Sequence, residues 1–293
     1  MIIRREKLIK KEYSPTLPLV TNDIRKYTFK DVIGSGTFGK VYKATHRYYN
    51  FAIKKFNYRK SALHVTTVRE ILNLMKMKNK SNRIISLVEV VITNDCVYAV
   101  FPLMSKTLDT IKFRNIKHVQ MLFKQIVEGV RDIHRERIIH RDLKPSNILV
   151  DKHEKEIKII DLGMSRNISG CMSGMVTTLI YRAPELLIDS TTGYKTYGFG
   201  VDVWSIGIIF ITMLIGKPLF DKPTEIEQLT FLKVSIKEKF KETFNFIKDE
   251  TIFDLLENML KWDRLERFTI EEIAEHEFFK KEYSYEDFLP KHF

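Results

Sequence analysis

Two cysteines, Cys96 and Cys171, are all that this chain of 293 residues carries. Two thiols cannot staple a chain this long, so a disulfide scaffold is excluded and free thiols in a reducing compartment are expected. Neither cysteine stands at the His and Cys spacing of a zinc site. Long apolar runs are missing as well. The most apolar stretch, VWSIGIIFITMLI at 203–215, is about 13 residues. That is short of the roughly 20 that span a bilayer, so it reads as a buried helix and no membrane association is expected. The opening MIIRREKLIKK has charge but no apolar stretch for a signal peptide, and Met1-Ile2 lacks the glycine that myristoylation needs. Internal repeats and low-complexity segments are absent. So is any block of one charge. Lys and Arg number 49 against 37 Asp and Glu, a net +12, but the positives are spread along the chain. That pattern reads as a lysine-rich solvated surface. A nucleic-acid role would need basic and aromatic residues interleaved on one face. No stretch of sequence supplies that, so no specific nucleic-acid partner is expected.

What is present points to a globular chain. With 44% apolar residues, 20 Phe and 12 Tyr, the chain cannot stay solvated while unfolded, and it is long enough to bury a sizeable core. Residues 1–26 read as a basic tail, with Pro15 and Pro18 opposing helix. Residues 27–104 read as β-rich, with strands near 41–45, 51–56, 87–93 and 97–101 and a turn at Asn94-Asp95. One helix is predicted there, over 66–77, with Val68, Ile71, Leu72 and Met75 on one face. From 105 to 281 helices dominate: 119–136, where Leu122, Ile126, Val130 and Ile133 recur at helical spacing, then 201–215, 252–261 and 270–275. Residues 282–293 read as a C-terminal tail. The expected fold class is α+β in two lobes, a small β-rich one and a larger helical one, with a ligand cleft between them.

Twelve glycines are few, yet Gly34, Gly36 and Gly39 fall within IGSGTFGKV at 33–41. Glycines let a backbone approach phosphate oxygens and aim N–H groups at them. A dinucleotide fingerprint would need a helix straight after, whereas Lys40 and Val41 continue as a strand, so a hairpin lid over phosphates fits better. Lys54, in FAIK, sits on a strand beside that lid, where a lysine can hold phosphates as a point charge. Glu70, sixteen residues on, would fix its head. HRDLKPSN at 140–147 is followed by DLG at 161–163. Asn147 and Asp161 offer oxygens to a hard cation such as Mg²⁺, which leaves Asp142 as base or orienter for an incoming hydroxyl.

These motifs, with APE at 183–185 and DVWS at 202–205, resemble those of eukaryotic protein kinases over about residues 27–280. The resemblance is strongest to the cyclin-dependent kinases, in the group that also holds the mitogen-activated kinases. It implies a serine/threonine kinase that moves the ATP γ-phosphoryl group to protein hydroxyls. The implied nucleotide-binding residues are Ile33, Gly34, Ser35, Gly36, Thr37, Phe38, Gly39, Lys40, Val41, Ala52, Lys54, Phe101 and Met104. Phe101 would back the adenine pocket and Met104 supply a backbone donor. Asp142 is implied as base, Lys144 as the γ-phosphate lysine, Glu70 as the partner of Lys54, Asn147 and Asp161 as Mg²⁺ ligands. Arg267 falls where the family pairs an arginine with the glutamate of APE, here Glu185.

Within that group, VTTVREILNL at 65–74 resembles the cyclin-binding helix, which implies a cyclin-type regulatory subunit. Arg69, Arg141 and Arg166 match three arginines that gather around an activation-loop phosphate, with Ser173 as the phosphosite. Thr37 is a second regulatory candidate. Val176, Thr178 and Arg182 match the substrate segment and imply Ser/Thr acceptors followed by Pro. The resemblance also implies a cell-cycle or transcriptional role and residence in the nucleus or cytoplasm, the nucleus favoured. DLG carries Leu162 where Phe is usual, and Ser173-Gly174-Met175 stands where mitogen-activated kinases have a Thr-x-Tyr pair. A cyclin-independent kinase of the same group, and a catalytically silent scaffold, are the alternatives.

Overall fold

The computed structural model describes residues 19–36, 39–57, 63–167, 179–192 and 197–284. The chain forms two compact units. One is drawn from residues up to Leu63 together with Ser86–Pro102, the other from His64–Ile85 and from Leu103 onward. The first is built on a sheet and the second on helices, which makes the α+β class predicted from the order of β-rich and helix-rich segments.

The sheet unit has six strands: β1 (Leu19–Thr21), β2 (Thr28–Gly36), β3 (Gly39–His46), β4 (Tyr49–Asn57), β5 (Glu89–Ile92) and β6 (Cys96–Pro102). Their order is β1-β5-β6-β4-β3-β2, antiparallel except for the β1–β5 pair. Tyr27, Ala44, Ile53, Val91 and Val100 form its buried cluster. Cys96 is buried; Cys171 lies outside the described residues.

Residues 19–26, expected in the tail, belong to this unit. Glu89 explains why. It is only 3% exposed and accepts hydrogen bonds from Thr21 Oγ1, from Lys26 Nζ at 2.6 Å and from Tyr27 Oη at 2.5 Å. Burial alone would raise its carboxyl, but the bonds from Lys26, Thr21 and Tyr27 hold it below the usual glutamate value. A depressed carboxyl stabilises the fold above its unfolded pKa, near 4.5, and that stability is lost as pH falls through the folded value. Glu89→Gln is expected to cost about 1–3 kcal/mol at pH 7. Its midpoint in urea should then vary less than the wild type's between pH 5 and pH 3.

The helical unit contains α1 (Val65–Met77), β7 (Lys106–Thr107), α2 (Ile116–Arg135), β8 (Ile138–Ile139), β9 (Ile148–Val150), β10 (Ile157–Ile159) and β11 (Arg166–Asn167). After these come α3 (Pro184–Thr192), α4 (Gly200–Ile215), α5 (Glu225–Leu232), α6 (Phe240–Thr243), α7 (Glu250–Met259) and α8 (Ile270–Ala274). The expected helices match to within a few residues at their ends. Helix α2 starts at Asn115, whose side chain accepts from His118 N. It packs so tightly that a Cβ on Gly129 would lie 2.7 Å from Ile159 Cδ1. Helix α4 is buried on nearly all sides, as its unbroken apolar run requires. It ends at Gly216, whose φ of +75° suits glycine. Among the described residues no helix is long and apolar enough to cross a membrane.

Helix α1 departs from the expected face. It buries Thr66, Thr67, Glu70, Asn73, Leu74 and Met77, while Val68 and Leu72 stand 41% and 59% exposed and Ile71 and Met75 are half-buried. The inner face is polar because it bonds backbone carbonyls. Asn73 Nδ2 donates to Leu162 O at 3.5 Å and Arg69 Nη1 to Gly163 O at 3.4 Å. Residues 64–85, α1 included, pack with the helices, whereas the sequence segments the chain at Met104.

Candidate catalytic site

The site in the helical unit is built around a buried carboxylate. Asp202, in the first turn of α4, is fully buried. It accepts from His140 N at 2.8 Å, Arg141 N at 2.8 Å and His134 Nε2 at 2.9 Å. Burial would raise this carboxyl, but His134, His140 and the Arg141 amide bring it below the ordinary value. These bonds hold Arg141 at φ +71°, a left-handed conformation that a side-chain residue keeps only when its surroundings dictate it. The His140 ring extends the scaffold: Nδ1 accepts from Asp142 N at 3.2 Å while Nε2 bonds Ile160 O at 3.0 Å, an assignment that puts the proton on Nε2.

Asp142 sits at the centre. Its Oδ2 meets Lys144 Nζ at 3.1 Å and Asn147 Nδ2 at 3.0 Å. Its Oδ1 is buried with no hydrogen-bond partner. Burial is the largest influence and pushes the carboxyl above the ordinary aspartate value; Lys144 and His140 oppose it, and Asp161 adds to it. Asn147 Nδ2 also donates to Asp142 O at 2.8 Å. Both amide hydrogens are thereby used, which leaves Oδ1 as an acceptor. Ile160 N donates to Asn147 O at 2.9 Å, tying HRDLKPSN to DLG. Asp161 has φ +65°, and its Oδ1 accepts from Gly163 N at 3.3 Å. A Cβ on Gly163 would lie 3.1 Å from Asp161 Oδ1 and 3.4 Å from Glu70 Oε2, so the two acids flank this glycine. Leu162 is fully buried and fills its apolar slot.

In the sheet unit the register places further predicted residues on one face. Val41 pairs with Lys54, Lys54 with Ala99 and Ala52 with Phe101, so these five side chains share a face by strand alternation. Lys54 Nζ lies 5.1 Å from the Phe56 ring. Gly34, Ser35 and Gly36 pair with Val41, Lys40 and Gly39 across the β2–β3 hairpin, and Ile33 is exposed. Lys40 alternates to the opposite face from Val41 and Lys54. Met104, in the helical unit, is half-buried.

Residues 27–279 match the family model of the protein kinase domain. This chain is a protein kinase. Over 215 residues it is 38% identical to a probable cell division protein kinase of Encephalitozoon cuniculi (strain GB-M1), covering 71% of this chain and 78% of that protein. It is a serine/threonine kinase that resembles the cyclin-dependent kinases, and its activity uses ATP on protein substrates.

Other predicted residues of the kinase lie elsewhere in the helical unit. Arg267 donates to both Glu185 oxygens, at 2.6 and 2.8 Å, and to the carbonyls of Lys261, Trp262 and Gly200, as the family pairing implies. Arg182 is buried and ion-paired with Glu225 on α5. Arg141 lies over the Tyr197 ring at 5.0 Å, and Arg166 stands in β11, paired with Ile139 just before HRD. Thr37, Phe38, Ser173, Val176 and Thr178 lie outside the described residues. His134 and Asn73 escaped sequence reasoning because a helical histidine or asparagine carries no signal until its distant partner is known.

Proposed function

We propose that the kinase uses Asp142 as the base for phosphoryl transfer to Ser and Thr, under the control of a cyclin-type subunit on α1. The observation that supports the chemistry most is the divided Asp142 carboxylate. Lys144 and Asn147 hold one oxygen; the other, buried and unpartnered, is free to accept the substrate hydroxyl's proton. As that proton moves to Oδ1, the hydroxyl oxygen bonds the γ-phosphorus and the bond to the ADP oxygen breaks. Lys144 supplies positive charge to the transferring group, and Lys54 holds the other phosphates. Asn147 Oδ1 and the Asp161 carboxylate are the hard oxygen donors that suit Mg²⁺. Among the described residues no group of three or more His, Cys, Asp or Glu could hold a metal. When bound, Mg²⁺ neutralises charge on the phosphates.

The glycine lid gives a paired test. A Cβ at Gly39 would stand 2.1 Å from Lys55 O, whereas at Gly34 it would meet only Val41 at an ordinary 3.6 Å. Gly39→Ala is therefore expected to destabilise the hairpin by about 1–3 kcal/mol. Gly34→Ala should fold normally and raise the KM for ATP roughly tenfold, the loss of about 1.4 kcal/mol of binding.

The exposed stripe Val65, Val68 and Leu72 supports regulation by a partner. The polar face of the same helix bonds Leu162 O and Gly163 O, so a subunit gripping α1 would steady Asp161. A role in cell division follows the relative's name. Preference for Pro after the acceptor rests on Val176, Thr178 and Arg182. Phosphorylation of Ser173, drawn to Arg69, Arg141 and Arg166, and residence in the nucleus rest on family resemblance. The deciding assay measures phosphorylation of a Ser-Pro peptide by the chain alone and with purified candidate cyclins, beside Leu72→Glu. Stimulation at least tenfold, abolished by Leu72→Glu with basal activity unchanged, is expected. Equal activity in all arms would move the kinase to the cyclin-independent branch.

A further inference from the structure

The sheet unit assembles on one face what the linear sequence scatters. Register and alternation put Phe29, Val32, Tyr42, Tyr98, Lys40 and Lys55 on the face opposite to Val41 and Lys54. The Phe29 ring packs edge-on to Tyr42 at 5.4 Å and to Tyr98 at 6.1 Å. Phe29 is 37% and Val32 53% exposed, while Tyr42 and Tyr98 are half-buried and Tyr98 packs against the buried cluster on the same face, so the outer edge of this aromatic group is open to solvent. Lys55 Nζ lies 6.0 Å from the Tyr98 ring.

The lysines make the face unusual. Lys40 and Lys55 are direct cross-strand partners, and like charges directly opposed in a sheet destabilise it. Neither has an acidic partner among the described residues. The nearest acids along these strands are Asp31 in β2 and Asp95 in the β5–β6 turn, the latter close enough to act on Tyr98. An anion bridging the two ammonium groups would relieve their repulsion, and the net charge of +12 draws polyanions toward the chain.

We propose that this face binds single-stranded nucleic acid without sequence preference, bases stacking at Phe29 and its neighbouring rings while Lys40 and Lys55 meet phosphates. An exposed ring beside paired cations is what a single strand requires. An acidic peptide would answer the lysines but leave the exposed Phe29 ring without a planar partner, so the ring favours the nucleic acid. The proposal is independent of phosphoryl transfer, since these side chains point away from Val41 and Lys54.

Fluorescence anisotropy of the full chain with a labelled 15-nucleotide single-stranded RNA tests it, at salt from 50 to 200 mM. Two phosphate contacts predict a slope of log K against log salt of about −1.4, and Lys55→Gln should reduce it to about −0.7. Phe29→Ala should weaken binding about tenfold, the loss of one stacked base, and Phe29→Tyr should restore it. Phe29→Tyr and Lys55→Gln should keep the wild-type melting midpoint and kinase activity. Four outcomes would overturn the proposal. They are no binding at 50 mM salt, equal binding of duplex DNA or inorganic polyphosphate, affinity indifferent to Phe29→Ala, and tighter binding of an acidic peptide.

Discussion

Asp142→Asn is expected to lower kcat by about 10²–10⁴-fold, the range for losing a positioned general base, without loss of stability. The two halves have one cause. Burial raises the Asp142 carboxyl above its ordinary value near 3.8, so keeping it ionised costs folding free energy. A neutral amide of the same shape removes that cost and keeps an acceptor for Asn147 and Lys144. The melting midpoint should hold or rise, and ATP affinity should stay within a few-fold. The raised pKa also sets the pH dependence. The reaction needs the carboxylate, so kcat should fall as pH drops through a value above 3.8, and the Asn variant should lack that acid limb. Retention of kcat within threefold would remove Asp142 from the chemistry and leave it a structural acid.

Much of this site was legible in the sequence because its chemistry depends on residue type at fixed short spacing. HRDLKPSN and DLG are local, and local motifs survive being read as a string. Arg267 with Glu185 was legible only through resemblance, since the two residues lie 82 apart in the chain. Three features could not be read. Residues 19–21 became strand β1 because the buried Glu89 carboxylate draws in Thr21, Lys26 and Tyr27, a preference set 62 to 68 residues away. Periodicity in α1 marked an apolar face, but burial follows partners as well as polarity. The carbonyls of Leu162 and Gly163 claim the polar side and leave Val68 and Leu72 in solvent. The aromatic and lysine face of the sheet needed the strand register, since Phe29, Lys55 and Tyr98 lie far apart in the chain. Each of these features depends on a distant partner, the kind of information a single sequence carries least directly.

Asp202→Asn should be the most damaging single-atom change in the helical unit. The carboxylate satisfies three donors, from His140, Arg141 and His134. An asparagine keeps one acceptor oxygen and turns an NH₂ toward donors, leaving at least one buried N–H unpaired. Breaking such a buried charged group costs about 3–5 kcal/mol, enough to lower the melting midpoint by several degrees. The loss should reach the chemistry as well. Without its two anchored amides, Arg141 has less to hold its left-handed φ of +71°, and Asp142 follows it directly in the chain. We expect kcat to fall more than the KM for ATP rises, because the displaced group acts on the transferring phosphoryl. Acid sensitivity separates this from a plain packing defect. The depressed Asp202 carboxyl stabilises the fold above its unfolded value near 3.8, and that stability disappears as pH falls through the folded value. The wild type should lose stability over that window and the Asn variant should not, so the two unfolding curves converge at low pH. Curves that stay parallel would mean the carboxylate's charge contributes nothing and only its shape matters.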